Sequence, residues 1–111
     1  MKIKTHDTFV EFTFENNSLK EIISTLKTKI SSTYQKNNIA IDLLKNNNFS
    51  LEELLLFLPF SDEIRAKKKS FVIINDAINP DDIPDEILVV PTLQEAKDII
   101  EMEEIERELG F

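Results

Sequence analysis

A chain of 111 residues with a formal charge of −8 at pH 7, 41% hydrophobic and without cysteine, is long enough for one core of ordinary domain size. The missing thiols exclude a disulfide framework, a thiolate metal site and a cysteine nucleophile. The acidic balance disfavours nucleic acid and anionic membrane as primary partners, because both are held by neutralising phosphate charge.

The start, Met1-Lys2-Ile3-Lys4, has no apolar leader core, and the longest apolar run, residues 54–60, falls well short of the ~20 residues that span a bilayer. A soluble, cytoplasmic protein is expected. Residues 1–5 and 8–14 read as a β-hairpin turning at His6-Asp7. Val10, Phe12 and Phe14 alternate with Glu11 and Thr13, the period of a strand with one wet face. Ser18 and Glu21 then form a capping box, in which the hydroxyl accepts the N3 amide and the carboxylate accepts the cap amide. Leu19, Ile22, Ile23, Leu26 and Ile30 carry that helix to about residue 34.

Ile39-Ala40-Ile41-Asp42-Leu43-Leu44 reads as a buried strand, followed by the polar turn Lys45-Asn46-Asn47-Asn48-Phe49. Ser50 opens a second helix over residues 50–69. Ser50 with Glu53, and later Thr92 with Glu95, repeat the capping pattern of the first helix, each cap contributing about 1 kcal/mol. Pro59 is expected to kink or split the second helix. Lys67-Lys68-Lys69 falls in its last turn, where cations suit the helix dipole.

Ser70-Phe71-Val72-Ile73-Ile74-Asn75 is apolar without alternation, as in a central parallel strand covered on both faces. Residues 76–86, with Pro80 and Pro84, form a loop that has room for one helical turn. Residues 87–90 are the last strand, stopped by Pro91, and the final helix covers 92–109. Leu93, Ala96, Ile100 and Ile105 lie on one side of it, and Gly110, the only glycine, marks its end. The predicted fold is α/β, one domain over residues 1–111. It has a mostly parallel four- to five-stranded sheet, an N-terminal β-hairpin, three long helices and a short one.

Reactive chemistry is sparse. The single histidine, His6, sits in an expected surface turn, too little for a catalytic triad or a zinc site. One glycine leaves no phosphate-cradling loop. Asp81, Asp82, Asp85 and Glu86 match no calcium loop, and Glu101, Glu103, Glu104, Glu106 and Glu108 read as the wet face of the last helix. No metal, no cofactor and no enzymatic activity are expected.

The order of elements resembles the STAS domain, the fold of bacterial anti-sigma-factor antagonists. Ile41-Asp42-Leu43 is similar to that family's Leu-Asp-Leu strand end, and Pro91-Thr92-Leu93-Gln94-Glu95-Ala96 to its terminal Pro-Ser-Leu-Glu-Glu-Ala helix start. Ser50 falls within a residue of the family's phosphorylatable serine, with Phe49 where that motif has aspartate. The resemblance implies a regulatory protein-interaction module. Residues 100–111 also resemble a group of short Bacteroidetes proteins, some labelled ribonuclease Z; the histidine cluster of that zinc enzyme is not in this sequence.

On a helical wheel Leu51, Leu54, Leu55 and Leu58 share one side, with Leu56, Phe57, Phe60 and Ile64 roughly opposite. Either the helix is wedged between sheet and neighbour, or part of the second stripe is exposed and marks a partner site. The candidate docking surface is therefore Asn46, Asn47, Asn48, Phe49, Leu56, Phe57 and Phe60, with Asn75 and Asp76 at the end of the next strand. Ser50 is either a phosphorylation switch or a helix cap. The expected function is non-catalytic docking of a protein partner, with small-ligand binding or homodimerisation as alternatives.

Overall fold

A computed structural model describes residues 1–46 and 49–110. β1 (Lys2–Thr5) and β2 (Val10–Thr13) pair antiparallel, with Ile3 opposite Phe12. β3 (Ile39–Asp42), β4 (Phe71–Ile74) and β5 (Val89–Val90) add to β2 in parallel, giving one sheet in the order β1-β2-β3-β4-β5. The sheet is mixed, which corrects the mostly parallel one expected. A tight turn, closed by His6 N–H donating to the Phe9 carbonyl at 2.8 Å, forces β1 and β2 antiparallel. Parallel neighbours arise only where a longer crossover intervenes.

The caps read from the sequence set the helix starts. α1 (Leu19–Ser32) begins with Ser18 Oγ accepting from Glu21 N–H at 3.2 Å while Glu21 accepts from Ser18 N–H at 2.9 Å. α2 (Leu51–Leu54) has the same box between Ser50 and Glu53. α4 (Leu93–Glu108) starts where Thr92 Oγ1 accepts from Glu95 N–H at 3.1 Å. Within residues 76–86 the expected helical turn is a 3₁₀ turn at Pro80–Asp82, capped by Asn79.

Pro59 splits the second helix as expected. It has no N–H to donate to the Leu55 carbonyl, which is met instead by Leu58 N–H one residue earlier, and Leu55–Phe57 winds as a 3₁₀ turn before α3 (Leu58–Ala66). A 3₁₀ turn advances about 120° per residue against about 100° in an α-helix, so three residues add about 60°. That extra rotation brings Phe57, Phe60 and Ile64 round to the azimuth of Leu54, and all four are buried. Phe57 and Phe60 therefore do not form the exposed second stripe that an uninterrupted wheel offers; Leu56 alone stays exposed.

At its far end α3 closes in a Schellman arrangement. Lys69 N–H donates to the Ile64 carbonyl and Lys68 N–H to that of Arg65, with Lys68 left-handed at φ 62°.

Side chains from the two sheet faces enter two cores. Val10, Phe12, Ile39, Ile41, Phe71 and Ile73 meet α1, α2 and α3. Ala40, Val72, Ile74 and Val90 meet α4 through Ala96 and Ile100.

Candidate functional site

α1 and the α2–α3 segment lie side by side on one sheet face, and the seam between them is open. Two adjoining cavities of about 600 and about 360 Å³ share Ile23, Lys27 and Leu56. Leu19 closes one end of this groove, and Pro59 and Phe60 the other.

Its geometry follows from local sequence. Ile22, Leu26 and Ile30 turn α1 onto the sheet and are buried, so Ile23, one step round, is left half-buried at the seam. Lys20 and Lys27, two turns apart on that flank, form an exposed basic lip. Across from them Leu56, held outward by the 3₁₀ turn, is 53% exposed. Glu63 on the same side is paired with Lys67 at 3.7 Å. Among the described residues neither Lys20 nor Lys27 has an ion-pair partner. The groove thus offers an apolar floor with unneutralised positive charge along one edge, and an amphipathic helix with acidic flanks matches both features.

The docking residues expected from sequence are only partly brought together. Leu56 and Phe60 line the groove, Phe60 as floor at 7% exposure. Phe57 is fully buried in the core, and Phe49 is half-buried against it. Asn46 ties its turn to the loop before α1, donating from Nδ2 to the Asn17 carbonyl at 2.7 Å. Asn75 is buried as well; its Oδ1 accepts from Ala77 N–H at 2.8 Å and Ile78 N–H at 3.3 Å, ordering the following loop. Asp76 is exposed next to it. Asn47 and Asn48 lie outside the described residues. Ser50 is exposed and acts as the α2 cap. The polar rim expected around it is therefore mostly internal fastening, and the accessible surface is displaced by about two helical turns, to Leu56.

Two polar gatherings lie elsewhere. At the start of β3 and β4, Asn38 is buried and donates from Nδ2 to the Thr8 carbonyl and to Glu104, both at 2.8 Å. Its Oδ1 accepts from Ser70 N–H at 2.8 Å. Ser70 Oγ donates to Glu103 at 2.6 Å, Arg107 reaches Glu104 at 2.9 Å and Ser70 Oγ at 3.1 Å, and Arg65 meets Glu103 at 3.3 Å. The Asn38 hydrogen bond, then that of Arg107, holds the Glu104 carboxyl below the ordinary glutamate range. Glu103 and Glu104 are thus a clamp holding α4 down, which corrects their reading as a wet helical face. Ile105, expected on the buried side, is 57% exposed.

The second gathering joins His6 Nε2 and Glu11 at 2.8 Å, with the His6 ring stacked on Phe9 at 4.3 Å. Thr13 Oγ1 donates to the other Glu11 oxygen at 3.2 Å. Burial pushes the nearby Asp42 carboxyl above the ordinary aspartate range, and Glu11 adds to the rise through its hydrogen bond and its charge. Leu44 N–H, donating to Asp42 at 3.0 Å, opposes it. His6 is therefore tied to an acid and half-buried, where a free surface turn was expected. Among the described residues no group of three His, Cys, Asp or Glu side chains is placed to hold a metal ion, and no helix is long and apolar enough to cross a membrane.

Sequence reasoning passed over the groove because Ile23 and Leu19 read simply as members of the α1 apolar stripe. The usable signal was Lys20 and Lys27, seven residues apart beside Ile23. Neither protein-family models nor curated proteins match this chain.

Proposed function

We propose that this protein is a STAS-like, non-catalytic interaction module of the cytoplasm, of the anti-sigma-factor-antagonist kind, and that it docks a protein partner in the groove between α1 and the α2–α3 segment. The partner presents an amphipathic helix with acidic flanks. The observation that carries this reading is Leu56, a large apolar side chain more than half exposed at the centre of an apolar groove, beside two lysines without ion-pair partners among the described residues. The residues that suggest the STAS kind are the strand end Ile41-Asp42-Leu43 and the helix start Pro91-Thr92-Leu93-Gln94-Glu95-Ala96. The −8 charge of the whole chain repels an acidic partner at long range, so the lysine lip supplies the local attraction that orients it.

A fluorescent helical probe peptide with leucines at i, i+3 and i+7 and glutamates on both flanks tests this directly. Fluorescence anisotropy is expected to show saturable binding to the full chain, weakened at least tenfold by Leu56→Lys and left unchanged by Ser50→Ala. Equal affinity for wild type and Leu56→Lys rules the groove out.

A further inference from the structure

α4 turns only part of its circumference to the sheet. Ala96 and Ile100 are buried, and Glu103, Glu104 and Arg107 continue that side into the polar clamp. On the opposite side Met102, Ile105 and Leu109 are 58%, 57% and 68% exposed. Spacings of three and four residues place them in one stripe. The helical step of about 100° sets Glu101 and Glu108 along one flank and Glu106 along the other. An exposed apolar stripe of this kind marks a contact surface.

The groove on the far side of the sheet is its complement along one edge, with an apolar floor and Lys20 and Lys27 to meet the flank that carries Glu101 and Glu108; the other edge carries Glu63, already paired with Lys67. Lys20 and Lys27 are separated by two turns, about 10.5 Å along α1, and Glu101 and Glu108 have the same separation along α4. Taking the groove as the docking site proposed above, we infer that its occupant is α4 of a second copy of this chain. Met102, Ile105 and Leu109 then lie against Ile23, Leu56 and Phe60, with Glu101 and Glu108 opposite Lys20 and Lys27. Groove and stripe occupy opposite faces of one sheet, so a copy cannot present both to the same neighbour. The contact is heterologous, each copy joins two others, and assembly runs past the dimer into a ring or an open chain.

Analytical ultracentrifugation of the full chain from about 10 µM to about 1 mM, the range that small interfaces populate, is expected to show a weight-average mass rising beyond the dimer. Lys20→Glu with Lys27→Glu sets acid against acid, and Glu101→Lys with Glu108→Lys sets base against base. Each double variant alone is expected to stay monomeric. Mixed in equal amounts they are expected to assemble again, because each one's stripe now meets a groove of opposite charge in the other. Far-UV circular dichroism checks that both fold, and if either does not, Ile105→Lys replaces the pair and must by itself reduce the mass to that of a monomer. Wild type monomeric over the whole range, either double variant still assembling alone, or a mixture that stays monomeric would each overturn the second-copy occupant. Binding of the acidic probe helix to a wild type that stays monomeric would leave the docking groove standing, so the two failures are distinguishable.

Discussion

The two faces of the sheet hold their helices by different means. On one, large side chains such as Phe12, Phe57, Phe71 and Ile64 are fully buried beneath α1, α2 and α3, and stability there comes from apolar area removed from water. On the other, α4 buries little more than Ala96 and Ile100, and its position is fixed by directional bonds from Asn38, Ser70 and Arg65 to Glu103 and Glu104 and from Arg107 to Ser70. Apolar packing places a helix within a broad energy well, whereas a satisfied polar network specifies one register and is costly when half broken. A helix held by a few polar clamps on its inner side leaves its outer side to carry apolar residues that the fold does not need. The same contrast explains why the α1–α3 seam stays open: Leu56 is displaced outward by a proline-driven 3₁₀ turn whose other residues are committed to the core.

The sharpest way to break this contrast is Phe57→Ala. Removing a fully buried ring is expected to cost about 3–5 kcal/mol, read from the urea midpoint, and a loss below about 1 kcal/mol would mean that the 3₁₀ turn does not seat Phe57 where described.

On the polar face, Asn38→Ala is expected to cost about 2–3 kcal/mol, because the Thr8 carbonyl, the Ser70 amide and Glu104 each lose a partner. It also alters the acid limb. The Glu104 carboxyl lies below its ordinary range when folded, so the stability it brings is present at pH values above that range and is lost as pH falls through the folded value. Asn38→Ala should therefore show a shallower decline of stability with acid than wild type. A decline of unchanged steepness would place the lowered Glu104 pKa elsewhere.

A smaller effect is expected from Ser50→Ala. Losing one half of the α2 capping box costs about 1 kcal/mol, seen in thermal melts.

Lys68→Gly is smaller again and opposite in sign. Relieving the left-handed backbone at φ 62° is expected to stabilise the chain by under about 1 kcal/mol, provided the Schellman closure of α3 is as described; destabilisation would argue for a side-chain role of Lys68.

Much of the scaffold could be read from local signals. The serine and threonine caps at 18, 50 and 92, the alternation of Val10, Phe12 and Phe14, and the unbroken apolar run 71–74 each report on their own few residues, and each element formed there. Features set by phase or by distant partners were less legible. The wheel over residues 51–64 assumed uniform α-winding, and the over-rotation at Leu55–Phe57 moved Phe57 and Phe60 into the core. Glu103 and Glu104 looked like solvent-facing acids because their partners, Asn38 and Ser70, lie more than thirty residues away in sequence. Those two partners did share a recognisable position, each immediately before a buried parallel strand. The groove needed the packing of two helices that sequence could place on the chain but not beside one another.

Nuclear magnetic resonance mapping of the ¹⁵N-labelled full chain with the acidic amphipathic probe helix addresses the docking groove most directly. Amide shifts at Ile23, Lys27, Leu56 and Glu63, growing together to saturation, are the predicted result. Shifts confined to α4 or to the turn at Asn46 and Ser50, with those four amides unmoved, would contradict it.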